Sequence, residues 1–148
     1  MKTICRIPYC KNEAVERGKG VRGPYHNCCK RCLPHFKRTN NPIRDVHRII
    51  AFGQYESLGQ IKCKGCKDSL LSHWNRHCLF LYRDIELSNN QKREIAYKLF
   101  QVDHINGREK KDYNNPENLQ ILCSNCHDSK SIFFGDKNGY RYKKEIKA

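Results

Sequence analysis

Two pairs of cysteines carry the clearest chemistry in the chain. Cys63-Lys64-Gly65-Cys66 and Cys123-Ser124-Asn125-Cys126 each place two thiols one tight bend apart. A two-residue gap lets both thiolates reach one tetrahedral ion, and two such bends supply the four sulfurs of a closed structural zinc site. One pair alone would be equally at home as unligated thiols or a redox couple; two in one basic chain point to zinc. The pairs are far apart in sequence, so the ion would clamp distant stretches of chain. Nearer the N-terminus, Cys5-x4-Cys10 offers half of a second site. Its other half is Cys29-x2-Cys32, Cys28-x3-Cys32 or Cys32-x2-His35, all at zinc-ligand spacing. Cys5, Cys10, Cys29 and Cys32 are the preferred set, with His35 as the alternative fourth ligand. Cys78, His73 and His77 are left as core or surface residues.

A second chemistry gathers in residues 102–130. Hydrolysing a phosphodiester needs a divalent ion to neutralise charge on the scissile phosphate and the leaving oxygen, and a base to activate water. Asp103 and His127 are of the types that hold such an ion, and His104 is of the type that acts as the base. On a strand, Asp103 and His104 point to opposite faces, so a bulge or twist is expected to bring both toward one ion. A carboxylate–imidazole site with open positions suits Mg2+ or Mn2+. The expected complement is therefore two structural zinc ions and one exchangeable catalytic ion. Lys130, one helical turn after His127, is placed to meet phosphate or solvent. His127 also has a competing reading as a zinc ligand beside Cys126.

Val102-Asp103-His104-Ile105, Asn114-Asn115-Pro116-Glu117-Asn118-Leu119 and Leu122-Cys123-x2-Cys126-His127-x2-Lys130 together resemble the HNH endonuclease family in residue type and spacing. The resemblance covers residues 102–130. It implies a ββα-metal core, catalytic-metal ligands at Asp103 and His127, the general base at His104, and an asparagine at Asn118 that braces the loop and orients the base. It also implies DNA cleavage to a 5′ phosphate and a 3′ hydroxyl. Zinc knuckles flanking the motif recur in that family, and the N-terminal cysteine module looks like those of phage homing endonucleases of the same type.

These residues sit in a chain of 148 with 29 Lys and Arg against 15 Asp and Glu, a formal net charge of +14. The excess is present in both halves and makes double-stranded DNA the expected partner. Only 38% of residues are hydrophobic while ten are cysteines, so metal clamps are expected to replace part of an apolar core. No apolar run reaches the roughly 18 to 20 residues of a membrane span. The N-terminus has no apolar signal stretch, so a cytoplasmic setting is expected, in which thiols bind metal. Composition and the cysteine module lean toward a phage or mobile-element enzyme.

The elements that must position these side chains follow from the pattern. Residues 1–38 read as the N-terminal zinc module, with Gly18, Gly20 and Gly23 marking an irregular loop. Residues 39–60 read as a basic helix and linker. After the breakers Thr39-Asn40-Asn41-Pro42, Ile43, Val46, Ile49 and Ile50 recur at helical spacing over 43–52, and Arg44 and Arg48 between them are offered to DNA. Residues 61–135 read as the nuclease domain. Within it, 70–82 is helix or strand, Ser88-Asn89-Asn90 a turn, 98–105 a strand, Asn106-Gly107 a turn and 118–123 a second strand; a helix follows an N-cap at Ser124. Residues 136–148 read as a basic tail with Tyr140 and Tyr142. The expected fold is α+β, a small zinc-stabilised ββα-metal nuclease core with an N-terminal zinc-binding module. The expected activity is that of a metal-dependent DNA endonuclease, nicking as a monomer or cutting both strands as a homodimer, in a homing, restriction, packaging or resolvase role. The alternative is a zinc-stabilised nucleic-acid-binding or regulatory protein that keeps the motif without using it.

Overall fold

The computed structural model describes residues 3–15, 27–78, 84–109 and 111–134. The loop expected at Gly18, Gly20 and Gly23, the end of the 70–82 element at Tyr82, and the basic tail with Tyr140 and Tyr142 lie outside the described residues. The described elements are α1 (Cys32–Arg38), α2 (Val46–Phe52), α3 (Leu70–His77), α4 (Asn89–Leu99), β1 (Phe100–His104), β2 (Leu119–Cys123) and α5 (Ser124–Phe134). The fold is α+β, and none of the described helices is long and apolar enough to cross a membrane.

Short polar side chains decide where the helices begin. Helix α2 starts at Val46, three residues later than the apolar spacing suggests. Asn41 Oδ1 accepts the Arg44 N–H at 3.0 Å and the Thr39 hydroxyl donates to Asp45 at 2.7 Å, holding 41–45 as a turn. Ile43 is consequently left 65% exposed. The ambiguous 70–82 element is helical over Leu70–His77, capped by Ser69, whose side chain accepts the Ser72 N–H. The turn expected at Ser88-Asn89-Asn90 is instead the start of α4. Ser88 and Gln91 form a reciprocal capping box, and the two asparagines occupy the first helical turn. Lys98 and Leu99, expected in a strand, belong to this helix, and β1 begins directly at Phe100.

Strands β1 and β2 are antiparallel, paired from Phe100↔Cys123 through Asp103↔Gln120 to His104↔Leu119 in unbroken register. Of the bulge or twist expected at Asp103-His104, the bulge is not made. Phe100, Val102 and His104 share one face, and Gln101 and Asp103 share the other. Asn106-Gly107 makes the expected turn, with Gly107 at φ +77°. The second strand starts at Leu119 because Pro116–Asn118 form a 3-10 turn. Chain leaving β2 enters α5 at once, and the Ser124 hydroxyl donates to Leu99 O. One side-chain bond thus joins the end of α4 to the start of α5.

Two small apolar clusters hold the elements. One joins Ile7, Cys28, Cys29 and Cys32 to Val46, Ile49 and Ile50. The other joins Phe52, Ile61, Leu70, Trp74, Phe100 and Ile121. Five of the seven residues of α2 are buried, divided between both clusters. Helix α2, within the stretch expected as a basic linker, is therefore packed into both clusters. Each large side chain buried there contributes about 1.5 to 3 kcal/mol.

Two arginines fasten the modules further. Arg38 on α1 binds Glu94 on α4 through two nitrogens, with Nε at 2.9 Å. Arg48 donates to Phe100 O at 2.8 Å and Tyr97 O at 3.3 Å, closing the carbonyl end of α4, with its guanidinium over the Phe52 and Tyr97 rings.

Candidate functional site

The cysteines gather as two sets of four, Cys5, Cys10, Cys29 and Cys32, and Cys63, Cys66, Cys123 and Cys126, with all sulfurs of a set within 4.8 Å of one another. A tetrahedral ion with Zn–S bonds of about 2.3 Å sets its sulfurs about 3.8 Å apart. Cys10–Cys29, Cys32–Cys10 and Cys66–Cys123 lie at 3.7, 3.8 and 3.9 Å. Those separations fit zinc, and they are far beyond the roughly 2.05 Å of a disulfide. Both sets would hold Zn2+ in closed structural sites.

Backbone N–H groups prepare the sulfurs for ionisation. Cys29 N–H points at Cys5 Sγ (3.2 Å), and Cys123 N–H points at Cys63 Sγ (3.3 Å). Burial opposes ionisation of Cys63, but the N–H groups of Cys123, Cys66 and Gly65 outweigh it and bring the thiol down to about 7. Gly65 permits the close approach of the two knuckles, since a Cβ there would stand 2.9 Å from Cys126 Sγ. His35, the alternative fourth ligand, is not part of the N-terminal set. Its Nδ1 lies 3.2 Å from the Tyr97 hydroxyl and its ring stacks on Tyr97 at 5.5 Å. Burial, with the Arg38 and Arg48 charges, pushes this imidazole down to about 4. Cys28 is buried beside the set, its thiol raised by the Cys5 sulfur it faces.

The hairpin and α5 assemble the second site. Asp103, only 5% exposed, receives Lys130 Nζ at 2.8 and 2.9 Å on its two oxygens and Gln120 Nε2 at 2.8 Å. His127 lies one turn before Lys130 on the same face of α5, with Nδ1 3.7 Å from Asp128. His104 looks the other way, toward α2 and the 105–118 loop. Its Nε2–H donates to Asn114 Oδ1 at 2.8 Å, and its Nδ1 accepts from Arg108 Nε at 3.3 Å. These partners define a neutral Nε2–H tautomer with the basic lone pair on Nδ1. Burial, helped by the Arg108 charge, keeps the imidazole below the ordinary histidine value despite the Asn114 bond.

Asn118 ties the loop to the hairpin. Its Oδ1 accepts the Asn106 N–H at 2.8 Å, and its Nδ2 donates to Tyr113 O at 2.8 Å and Gly107 O at 3.2 Å. The loop it closes carries Asn114, the residue that fixes the His104 ring.

Asp103, His104 and His127 do not form a set of ligand atoms within 4.8 Å among the described residues. In donor type, Asp103 and His127 fit a divalent ion, one hard oxygen ligand and one imidazole. In geometry, an ion on Asp103 has to displace or share the Lys130 ammonium. Lys130 is therefore engaged inward rather than offered to phosphate. Arg44, in contrast, is exposed and pairs with its neighbour Asp45 at 2.8 Å.

Sequence reasoning missed four residues around His104 and Asp103: His47, Arg108, Asn114 and Gln120. His47 sits on α2 with its ring 5.4 Å from that of His104. Burial and the adjacent His104 and Arg108 charges push it down to about 4. By sequence Asn114 reads only as a loop residue and Gln120 only as a position in the expected second strand; the register and the loop path show what they touch.

A hairpin runs straight into a helix here, clamped by a four-cysteine set and bearing a carboxylate and imidazoles. The HNH endonuclease family model matches residues 88–132, from the cap of α4 into α5, and the two four-cysteine sets are consistent with zinc knuckles. No curated protein and no solved structure matches the chain.

Proposed function

We propose that the chain is a divalent-metal-dependent endonuclease that hydrolyses phosphodiester bonds in DNA, with His104 as general base. The observation that carries this reading is the fixed His104 ring. Asn114 Oδ1 accepts the Nε2–H, which makes Nδ1 the basic atom of the ring, and Nδ1 can receive a proton from water once Arg108 Nε, 3.3 Å away, turns to the phosphate. A general base needs that defined lone pair, and a pKa below the usual histidine value keeps it unprotonated at neutral pH. Asp103 and His127 would hold the divalent ion, which when bound neutralises charge on the scissile phosphate and the leaving oxygen. Because Asp103 and His104 lie on opposite faces of β1, a phosphate lying across the strand end meets the base on one side and the acidic group on the other. That arrangement suits an in-line displacement, with water approaching from the His104 side. Asn118 and Asn114 position the base and do not react. The charge of +14 supplies the attraction for the DNA backbone.

A second reading has a specific observation behind it. Lys130 covers both Asp103 oxygens and Arg108 donates to His104 Nδ1, which is how a nucleic-acid-binding protein that no longer uses the motif would look. Nicking of supercoiled plasmid by zinc-loaded protein separates the two. Nicking that requires Mg2+ or Mn2+ and is lost in a folded His104→Ala protein supports the enzyme. Plasmid binding without nicking under either ion supports the alternative.

A further inference from the structure

Outside the two four-cysteine sets and the hairpin, one more group of metal-ligating side chains stands together among the described residues. Asp68, His73 and His77 each offer a ligand atom within 4.8 Å of the others. Asp68 immediately precedes Ser69, the cap of α3, while His73 and His77 are four apart on that helix with ring centroids 4.7 Å apart. His73 is 3% exposed, and its Nδ1 has no hydrogen-bond partner among the described residues. A buried polar nitrogen left unpaired is costly, so a purely structural position would favour an apolar side chain there. The imidazole holds coordination capacity that the fold does not use.

The carboxylate is already oriented. Arg76 holds Asp68 Oδ1 at 2.8 Å, while Oδ2 faces His77 Nε2 at 4.0 Å. One oxygen is thus pinned by the exposed Arg76 guanidinium of α3 and the other is turned toward the imidazole, the division of labour that outer partners give a ligating carboxylate.

We propose that Asp68, His73 and His77 form a third metal site, of two imidazoles and one carboxylate, that takes Zn2+ or a similar late divalent ion. The donor set is too rich in nitrogen for Mg2+ or Ca2+, which take oxygen ligands. Bonds of about 2.0 to 2.1 Å would place the ligand atoms about 3.3 Å apart around a tetrahedral ion. His77 stands in the last turn of α3 with its side chain 42% exposed, so it is free to close the remaining gap. The fourth position is left to solvent. The ion would tie α3 to the Cys63–Cys66 knuckle, because Cys63 N–H donates to Asp68 O at 2.9 Å. It would also lie beneath the nuclease hairpin, since the His73 ring packs edge-on against Phe100, the first residue of β1, at 5.2 Å.

The test uses the full chain with both four-cysteine sites loaded with zinc and Co2+ as the added probe. Cobalt on imidazole and carboxylate gives weak visible bands without the thiolate charge-transfer absorption of a four-cysteine site, so the new ion is recognised apart from exchange. The wild-type chain is expected to take up one equivalent more than His77→Ala, and Asp68→Asn to bind at least tenfold more weakly. Any ion held at Asp103 and His127 is common to all three proteins and drops out of the comparison. Equal uptake and equal spectra in wild type and His77→Ala overturn the proposal. A measurement on the wild type alone guards against a variant that fails to fold: Zn2+ added to the loaded protein should move the ring nitrogen signals of His73 and His77. If neither moves, the site does not exist.

Discussion

Replacing Asn118 by alanine isolates the bracing of the loop from the chemistry of the base. The substitution removes three side-chain hydrogen bonds, to Asn106 N, Tyr113 O and Gly107 O, and leaves the backbone bond from Ile105 N to Asn118 O in place. Each such bond contributes about 1 kcal/mol net, and water can replace part of it at this half-buried position, so about 2 kcal/mol of stability should be lost. Urea unfolding of zinc-loaded protein reads this as a lowered midpoint with an unchanged slope. The rate should fall by more than the stability change suggests. The freed loop carries Asn114, so His104 loses the partner that fixes its tautomer, and a displacement of about 1 Å at a reacting group costs on the order of a hundredfold. Asn118→Asp keeps the acceptor but turns a carboxylate oxygen toward two carbonyls, and should be at least as damaging as alanine. Asn114→Ala removes only the bond to His104, and should slow nicking with a smaller loss of stability. An Asn118→Ala protein with an unchanged urea midpoint would refute the bracing geometry. One that is destabilised yet nicks at the wild-type rate would refute the link from loop to base.

Further outcomes follow from the cations and the buried imidazoles. Lys130→Met strands the buried Asp103 carboxylate and should cost about 3 to 5 kcal/mol; millimolar Mn2+ should restore more stability to this variant than to wild type, as thermal shifts would show. Arg48→Ala loses the bonds to Phe100 O and Tyr97 O, and should destabilise the fold by about 2 kcal/mol while leaving the salt dependence of DNA binding as it was. His35 sits at about 4 in the fold against about 6.5 unfolded. The unfolded chain therefore binds the extra proton between those values, and stability present above pH 6.5 is lost as the pH falls toward 4, by up to about 3 kcal/mol. His35→Phe should flatten that part of the stability profile relative to wild type, measured by urea unfolding at pH 5 and 7.5.

Much of this was legible in residue spacing because metal ligands and capping residues act locally. The pairs Cys63/Cys66 and Cys123/Cys126 announce their ion whatever lies between them, and Asn106-Gly107 announces its turn. Capping chemistry was equally local at Ser88 and Gln91, yet the asparagines between them favour turns by composition, and the box outweighs them. What spacing cannot supply is direction. Arg48 belongs to a basic helical face by pattern, but the open carbonyl end of α4 lies within its reach and the guanidinium turns inward. His47 and Asn114 reach His104 only through the path of the chain from α2 and around the 105–118 loop. Asp103 and His104 were correctly expected on opposite faces. The unbroken ladder keeps them there, where a bulge had been anticipated.

The two cysteine sets differ in how soon a growing chain can complete them. The N-terminal set is finished at Cys32, whereas the other set must wait for Cys123 and Cys126, with Cys66 and Cys123 lying 57 positions apart. During synthesis from the N-terminus, the first module can take its ion and fold while the hairpin is still unmade. The second ion closes only after α3, α4 and both strands have emerged, and its last ligand directly precedes His127. Zinc shortage would then leave the chain with an intact first module and an unlatched hairpin. The stretch between the knuckles, which carries α3, α4 and β1, would then be the segment most open to proteolysis.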